Sequence, residues 1–272
     1  MQSQRSPIQL IVSVFALCFV LLSASPAEER AKPNRGYNCV LMGHSFFVPM
    51  AKQLEEHAKR CGFKEHKQVV SGRGGSKGSP GSLWKNLPDK DKSRVAIRSG
   101  SVNMVGLTLA SSGSELADYK AWVDFALKHN PNTSFFIMAP CTRYQKKSFK
   151  EFEEGWEKVH AIVHGLIVAL RKDYPGTTFF CIPQGKVFVE LWRRFDKGQL
   201  PEVAKLMSRN ESCIFRDATG HGGKVPITMG TLLWLATIYK VDLKKYKWDT
   251  KVKTDLKAMA QKIAQGDPYT KH

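Results

Sequence analysis

The stretch Asn38-Cys39-Val40-Leu41-Met42-Gly43-His44-Ser45-Phe46-Phe47 decides the fold. After Asn38, Cys39-Val40-Leu41-Met42 form a short apolar run closed by Gly43, the pattern of a strand buried on both faces. Beyond Ser45 the apolar residues Phe46, Met50, Leu54 and Ala58 recur at helical spacing, and the pattern stops at Cys61-Gly62. A buried strand that turns at once into an amphipathic helix is how a parallel sheet covered by helices begins.

Working outward, residues 66–70 read as a second strand. Five glycines within residues 71–81 are too many for a helix or strand interior and mark a loop. Residues 103–109 and 133–139 read as the third and fourth strands, with Leu116, Tyr119, Trp122, Val123, Ala126 and Leu127 forming a helical face between them. Phe149, Phe152, Trp156, Val159, Val163, Leu166 and Leu170 mark a long amphipathic helix, and residues 177–182 a fifth strand stopped by Pro183. Helices follow around residues 187–195 and 226–239, with a basic one near 251–264. The expected fold is α/β: a three-layer α/β/α sandwich around a five-stranded, mostly parallel sheet.

A chain of 272 residues with 42% hydrophobic composition can bury one sizeable core. At its start Arg5 precedes an uncharged apolar run over residues 8–22 and the small-residue stretch Ser23-Ala24-Ser25-Pro26-Ala27. This is the pattern of a signal peptide cleaved after Ala27. A spanning helix needs roughly 20 apolar residues, and this run is shorter, so no membrane span is expected after processing. The organisation read here is a signal peptide over 1–27, a polar tether over 28–37 and a single domain over 38–272. It implies an exported protein: secreted, periplasmic or envelope-associated.

Export permits disulfides, yet past Ala27 the chain keeps only Cys39, Cys61, Cys141, Cys181 and Cys213. Several lie in apolar runs where a buried thiol is the expected state, and no pairing is assigned. The formal charge of +18 loses only that of Arg5 with the leader. Such an excess suits an anionic partner or surface. No zinc finger, RNA-binding aromatic motif or long arginine run accompanies it, so no specific nucleic-acid partner is expected.

Ligand sites in open α/β sheets gather beyond the carboxyl ends of the strands. The first such loop carries Ser45, at the start of a helix whose free N–H groups can stabilise an oxyanion; the plainer alternative is an N-cap serine. The last loop, Arg216-Asp217-Ala218-Thr219-Gly220-His221-Gly222-Gly223, precedes an apolar helix. A histidine can take a serine proton, and a carboxylate can fix its tautomer and stabilise the imidazolium. Read as a glycine-rich turn with a capping Asp, the same loop leaves His221 without a role.

Together these segments resemble the SGNH (GDSL-like) hydrolase family, from the first strand to the penultimate helix. Residues 40–46 occupy its first block, Gly74-Gly75-Ser76 with Leu83-Trp84 its second, Phe180-Cys181-Ile182-Pro183-Gln184-Gly185 its fifth strand and exit, and Asp217 to His221 with Gly230-Thr231-Leu232 its final block. The resemblance implies a serine esterase with Ser45, Asp217 and His221 as catalytic residues and the backbone N–H groups of Ser45 and Gly75 as oxyanion hole. It departs in two places. The family's Gly-x-Asn-Asp block is here Gly106-Leu107-Thr108-Leu109-Ala110-Ser111-Ser112-Gly113, so Thr108, Ser111 or Ser112 substitutes for the asparagine, or the third donor is missing. Asp217 and His221 lie four apart where the family has three, with Gly220 able to absorb the extra residue.

His44 reads as a structural hydrogen-bonding residue, and His57, His129, His160 and His164 as surface or packing residues on helices. Cys141 has no base beside it. Asn132-Thr133-Ser134 and Asn210-Glu211-Ser212 match the glycosylation pattern. No metal-ligand spacing is recognised, and neither metal nor cofactor is expected. Exported relatives of this type suggest an esterified small molecule or an O-acetylated glycan as substrate, an anionic one included. A catalytically weak SGNH-like binding protein and a basic polyanion-binding envelope protein are the competing readings.

Overall fold

The computed structural model describes residues 35–145, 147–209 and 212–271. The expected signal peptide, its expected cleavage after Ala27, most of the expected tether and Asn210 of the second glycosylation pattern lie outside the described residues.

Five strands form one sheet: β1 (Asn38–Gly43), β2 (Lys67–Gly72), β3 (Met104–Thr108), β4 (Ser134–Met138) and β5 (Phe179–Ile182). Their order is β2-β1-β3-β4-β5 and every pairing is parallel. The continuous apolar runs follow from this, because a parallel sheet covered on both faces leaves no strand face for water. Helices α1 (Val48–Arg60), α6 (Gln184–Asp196), α7 (Lys224–Tyr239) and α8 (Leu256–Gly266) pack among themselves as one layer. The other layer holds α2 (Pro80–Asn86), α3 (Lys92–Arg98), α4 (Leu116–His129) and α5 (Phe149–Asp173). The fold is a three-layer α/β/α sandwich. None of the helices among the described residues is long and apolar enough to cross a membrane.

Local chemistry sets the element boundaries. Ser79, Asp91 and Ser148 cap α2, α3 and α5 with side-chain oxygens that accept from free backbone N–H groups. The sequence pattern points to a helix opening at Phe46; α1 instead begins at Val48, where Pro49 fits the first turn and needs no hydrogen bond. Phe47, not Phe46, faces the core, with its ring 4.8 Å from Trp234 and 6.1 Å from Phe136. The glycine-rich segment forms a 3-10 turn at Gly75–Gly78, and α2 starts within its expected range at Pro80. Two short helices, α2 and α3, and a small parallel sheet of β6 (Lys205–Met207) and β7 (Cys213–Phe215) were not legible as apolar patterns.

Helix α7 is apolar all round because it is enclosed by α1, α6 and α8. Trp234 sits at its centre against Phe47 and Phe136, and its indole N–H donates to Gln184 Oε1 at 3.1 Å. Burying each such aromatic contributes about 1.5–3 kcal/mol. This packing has a consequence beyond stability. The segment before α1 and the segment before α7 are held side by side, although 176 residues separate Ser45 from His221.

Candidate active site

Ser45 stands in the turn between β1 and α1, at the carboxyl edge of the sheet where the strand order reverses. The N–H groups of Phe47 and Val48 both donate to the His44 carbonyl, at 2.9 and 3.1 Å. The His44 ring ties this turn to the neighbouring strand exit. Its Nε2 lies 2.9 Å from the Leu109 carbonyl, and its Nδ1 lies 3.3 Å from the Phe46 N–H. A carbonyl only accepts and an N–H only donates, so His44 is the neutral Nε2–H tautomer. Burial lowers its pKa, the Leu109 bond opposes this, and nearby His221 lowers it further.

The partner loop is closed at its neck. Phe215 and Gly222 form an antiparallel bridge, the Arg216 N–H donates to the His221 carbonyl at 2.7 Å, and the Gly223 N–H donates to the Ile214 carbonyl at 3.0 Å. Gly220 has φ +103°, a conformation side-chain-bearing residues rarely adopt, and this absorbs the extra residue between Asp217 and His221. Asp217 Oδ1 accepts from the N–H groups of Gly220 (3.0 Å) and His221 (3.3 Å).

The other Asp217 oxygen, Oδ2, lies 2.7 Å from His221 Nδ1, and His221 Nε2 lies 2.7 Å from Ser45 Oγ. The three side chains named from sequence form one hydrogen-bonded chain. Burial alone would raise the Asp217 pKa; the His221 ring and the two loop N–H groups outweigh it and hold the carboxyl below its ordinary value. The Phe46 ring, edge-on to both His44 and His221 at 5.4 and 5.0 Å, fills the space between them. The sequence pattern assigns Phe46 to the buried face of a helix; it instead precedes α1, half-buried against these two rings.

The second loop meets the first through its backbone. The Arg73 N–H donates to the Gly43 carbonyl at 3.1 Å. A Cβ at Gly78 would lie 2.7 Å from Gly43 O and His44 Cα, so only glycine lets the 3-10 turn settle on the Ser45 turn. Gly75 opens that turn, and its N–H and that of Ser45 donate to no other group among the described residues.

The third-block candidates divide. Thr108 is wholly buried at the end of β3, with its hydroxyl 3.3 and 3.4 Å from the carbonyls of Leu109 and Met138 and 3.5 Å from His44 Nε2. It cannot serve as an oxyanion donor, because its single proton is directed into the sheet end. Ser111 and Ser112 are exposed on the following loop.

An open cleft of about 670 Å³ adjoins the three residues, lined by Ser45, Asp217, His221, Pro49, Ile227, Arg209, Arg216 and Gly222. Sequence reasoning gave no role to Arg209 and Arg216; the adjacency of Arg216 to Asp217 was the available signal. The Cys141 thiol is buried, which pushes its pKa up to about 12 and makes it inert as a nucleophile. His57 is buried against the Tyr246 hydroxyl at 2.7 Å. His160 and His164 are not simple packing residues; they meet Asp267 and Cys181 away from the cleft.

No protein-family model and no curated protein matches the chain. Among solved structures it is similar to a Streptococcus pneumonia protein described as a platelet activating factor, at 13% identity and a TM-score of 0.40, covering 76% of this chain and 86% of that one. It is also similar to the periplasmic domain of a lipopolysaccharide acetyltransferase of Salmonella ser. Paratyphi A, at 12% identity and a TM-score of 0.33, covering 58% and 69%. Likenesses this distant carry no inference about chemistry, which rests on the residues themselves.

Proposed function

We propose that the chain is an exported serine hydrolase of the SGNH type that cleaves esters, with O-acetyl groups on carbohydrate as the substrate class. The observation that carries this reading is the Asp217–His221–Ser45 chain, two contacts of 2.7 Å each at the mouth of an open cleft. Neutral His221 accepts the Ser45 Oγ proton at Nε2 as the oxygen attacks the ester carbonyl. The tetrahedral oxyanion lies toward the N–H groups of Ser45 and Gly75. His221 returns the proton to the departing alcohol, leaving an acyl-Ser45 ester. Water, deprotonated by the same imidazole, then releases the acid and restores Ser45. Asp217 holds Nδ1 protonated and stabilises the imidazolium.

Arg209 and Arg216 in the cleft wall and the surplus of positive charge favour an anionic substrate.

A fluorophosphonate probe applied to the purified mature protein tests the assignment. Covalent labelling at Ser45, abolished in Ser45→Ala and His221→Ala, is the expected result. Thr108 favours the second reading, a binding protein with a weakened site, since the usual third donor is absent. A folded protein that neither labels nor hydrolyses acetyl esters would overturn the hydrolase assignment and leave that reading in front.

A further inference from the structure

Four side chains that the proposed reaction leaves unused converge at the β5 edge of the sheet. His160 and His164 are one turn apart on α5 and share a face. Cys181 is wholly buried within β5, and Asp267 follows α8 with its side chain only 6% exposed. One imidazole nitrogen from each histidine, the thiol sulfur and a carboxylate oxygen all lie within 4.8 Å of one another.

The contacts within this group are incomplete. His160 Nε2 is bonded to Asp267 Oδ2. His164 Nε2 lies 3.4 Å from Asp267 Oδ1, and it is buried without a hydrogen-bond partner. A buried polar atom left unpaired costs about 1–3 kcal/mol, and a ligand that engages it recovers that cost. The rings are held in place from outside the group: His160 stacks on Trp156 at 4.7 Å and His164 on Tyr269 at 3.9 Å. Ligand rings braced by residues outside the group are the arrangement a metal site needs.

We propose that His160, His164, Cys181 and Asp267 form a structural site for a divalent transition-metal ion of the zinc type. Two nitrogens, one sulfur and one carboxylate oxygen are a donor set suited to zinc, and bonds of about 2.0–2.3 Å in a tetrahedron draw such donors slightly closer than they stand here. Calcium and magnesium prefer all-oxygen sets. Four protein ligands leave no open position, so the ion is structural and the Ser45 cleft does not depend on it for chemistry. None of the four residues lines that cleft. The ion joins α5, β5 and the C-terminal segment, which is otherwise anchored by polar contacts such as Lys240 Nζ to the Thr270 carbonyl at 2.5 Å. The His160–His164 pair is a four-residue helical spacing visible in the sequence, but Cys181 and Asp267 reach it only through the fold.

The test uses the untagged mature protein, metal-stripped and then titrated with Co²⁺ and Zn²⁺. Cobalt should produce a near-ultraviolet thiolate charge-transfer band together with intense visible bands of a tetrahedral ion, and Zn²⁺ should displace it. Zinc at a hundredfold excess over its Kd should raise the thermal midpoint by about 5–10 °C. Cys181→Ser should remove the charge-transfer band. Because Cys181 lies in the core, the partly exposed His164→Gln supplies a second variant, expected to weaken metal binding by roughly 10-fold or more while keeping the wild-type circular dichroism. His221→Ala should bind as wild type, which separates this site from the catalytic reading. Absence of the cobalt bands in the wild-type protein, or a folded His164→Gln variant that binds as tightly as wild type, would overturn the proposal.

Discussion

The His44 ring and the Leu109 carbonyl join the exits of β1 and β3 through one buried hydrogen bond of 2.9 Å. That bond fixes the turn carrying Ser45 to the adjacent strand, while the other ring nitrogen receives the Phe46 N–H from within the turn. His44 is therefore a positioning residue for Ser45 rather than a second base. His44→Ala leaves the Leu109 carbonyl and the Phe46 N–H without their partner and should destabilise the fold by about 1–3 kcal/mol. Ester turnover should fall by roughly 10-fold or more, mainly in kcat with KM little changed, since the cleft walls stay in place. Urea unfolding together with steady-state kinetics measures both. Unchanged kcat in a folded His44→Ala protein would remove the positioning role.

The proposed catalytic chain makes unequal demands on its members. Ser45→Ala and His221→Ala remove the nucleophile and the base, and each should lower turnover by roughly 10³-fold or more while the fold persists. Their combination should cost little beyond either alone, because the two act as one unit. Asp217 has a second task, since its Oδ1 also holds the Gly220 and His221 N–H groups. Asp217→Asn should lower kcat by roughly 10²-fold or more and also loosen the loop, visible as faster hydrogen exchange at Gly220 and His221. A double variant that loses far more than either single one would contradict the shared mechanism.

Much of this arrangement is legible in the sequence because a buried parallel sheet writes itself as apolar runs. All five strands of the main sheet stand within a few residues of where those runs place them. The Gly43-His44-Ser45 turn and the loop from Asp217 to His221 could likewise be read as strand or helix exits. What brings them together is not local: Trp234, Phe47 and Phe136 pack α7 and α1 side by side, and no short-range pattern encodes that contact. Thr108 illustrates the opposite error. Its type and position suit an oxyanion donor, but burial beside two carbonyls turns the hydroxyl inward. Helices α2 and α3 escaped notice because each spans only seven residues, too few for a helical apolar period to register. The His160–Cys181–Asp267 convergence depends on three separate elements and could not be seen at all.

The arginines of the cleft bear on substrate charge. Arg216 shapes the loop through its backbone N–H, which a side-chain substitution leaves intact, so Arg216→Gln should preserve the catalytic geometry. It should lower kcat/KM for an acidic acetylated glycan by about 3–10-fold and leave a neutral acetyl ester unaffected. The wild-type preference for the acidic substrate should shrink as salt rises. Equal losses on both substrates would mean that Arg216 acts on the site's structure rather than on substrate charge.

The strongest pH prediction comes from three histidines buried as neutral rings. Burial is the main influence lowering the pKa of each. At His44 the Leu109 carbonyl opposes it and His221 reinforces it; at His57 Glu56 opposes and Arg60 reinforces; at His66 the Gln68 bond and Glu55 oppose and Lys59 reinforces. His57 and His66 each bond a tyrosine hydroxyl, of Tyr246 and Tyr239, linking α1 and the approach to β2 to the C-terminal half of the fold. In the unfolded chain all three titrate near their ordinary value of about 6.5. Below that pH the unfolded state binds protons that the folded state does not, so stability must rise with pH there. The contribution of the three rings is whole above about pH 6.5 and is lost as pH falls toward their lower folded-state values. Urea midpoints should therefore decline from pH 7.5 to pH 5, and His57→Gln should flatten the decline because glutamine keeps a hydrogen-bonding side chain but cannot titrate. A urea midpoint that stays level from pH 7.5 to pH 5 would mean that the buried rings take up protons in the folded state as readily as in the unfolded one.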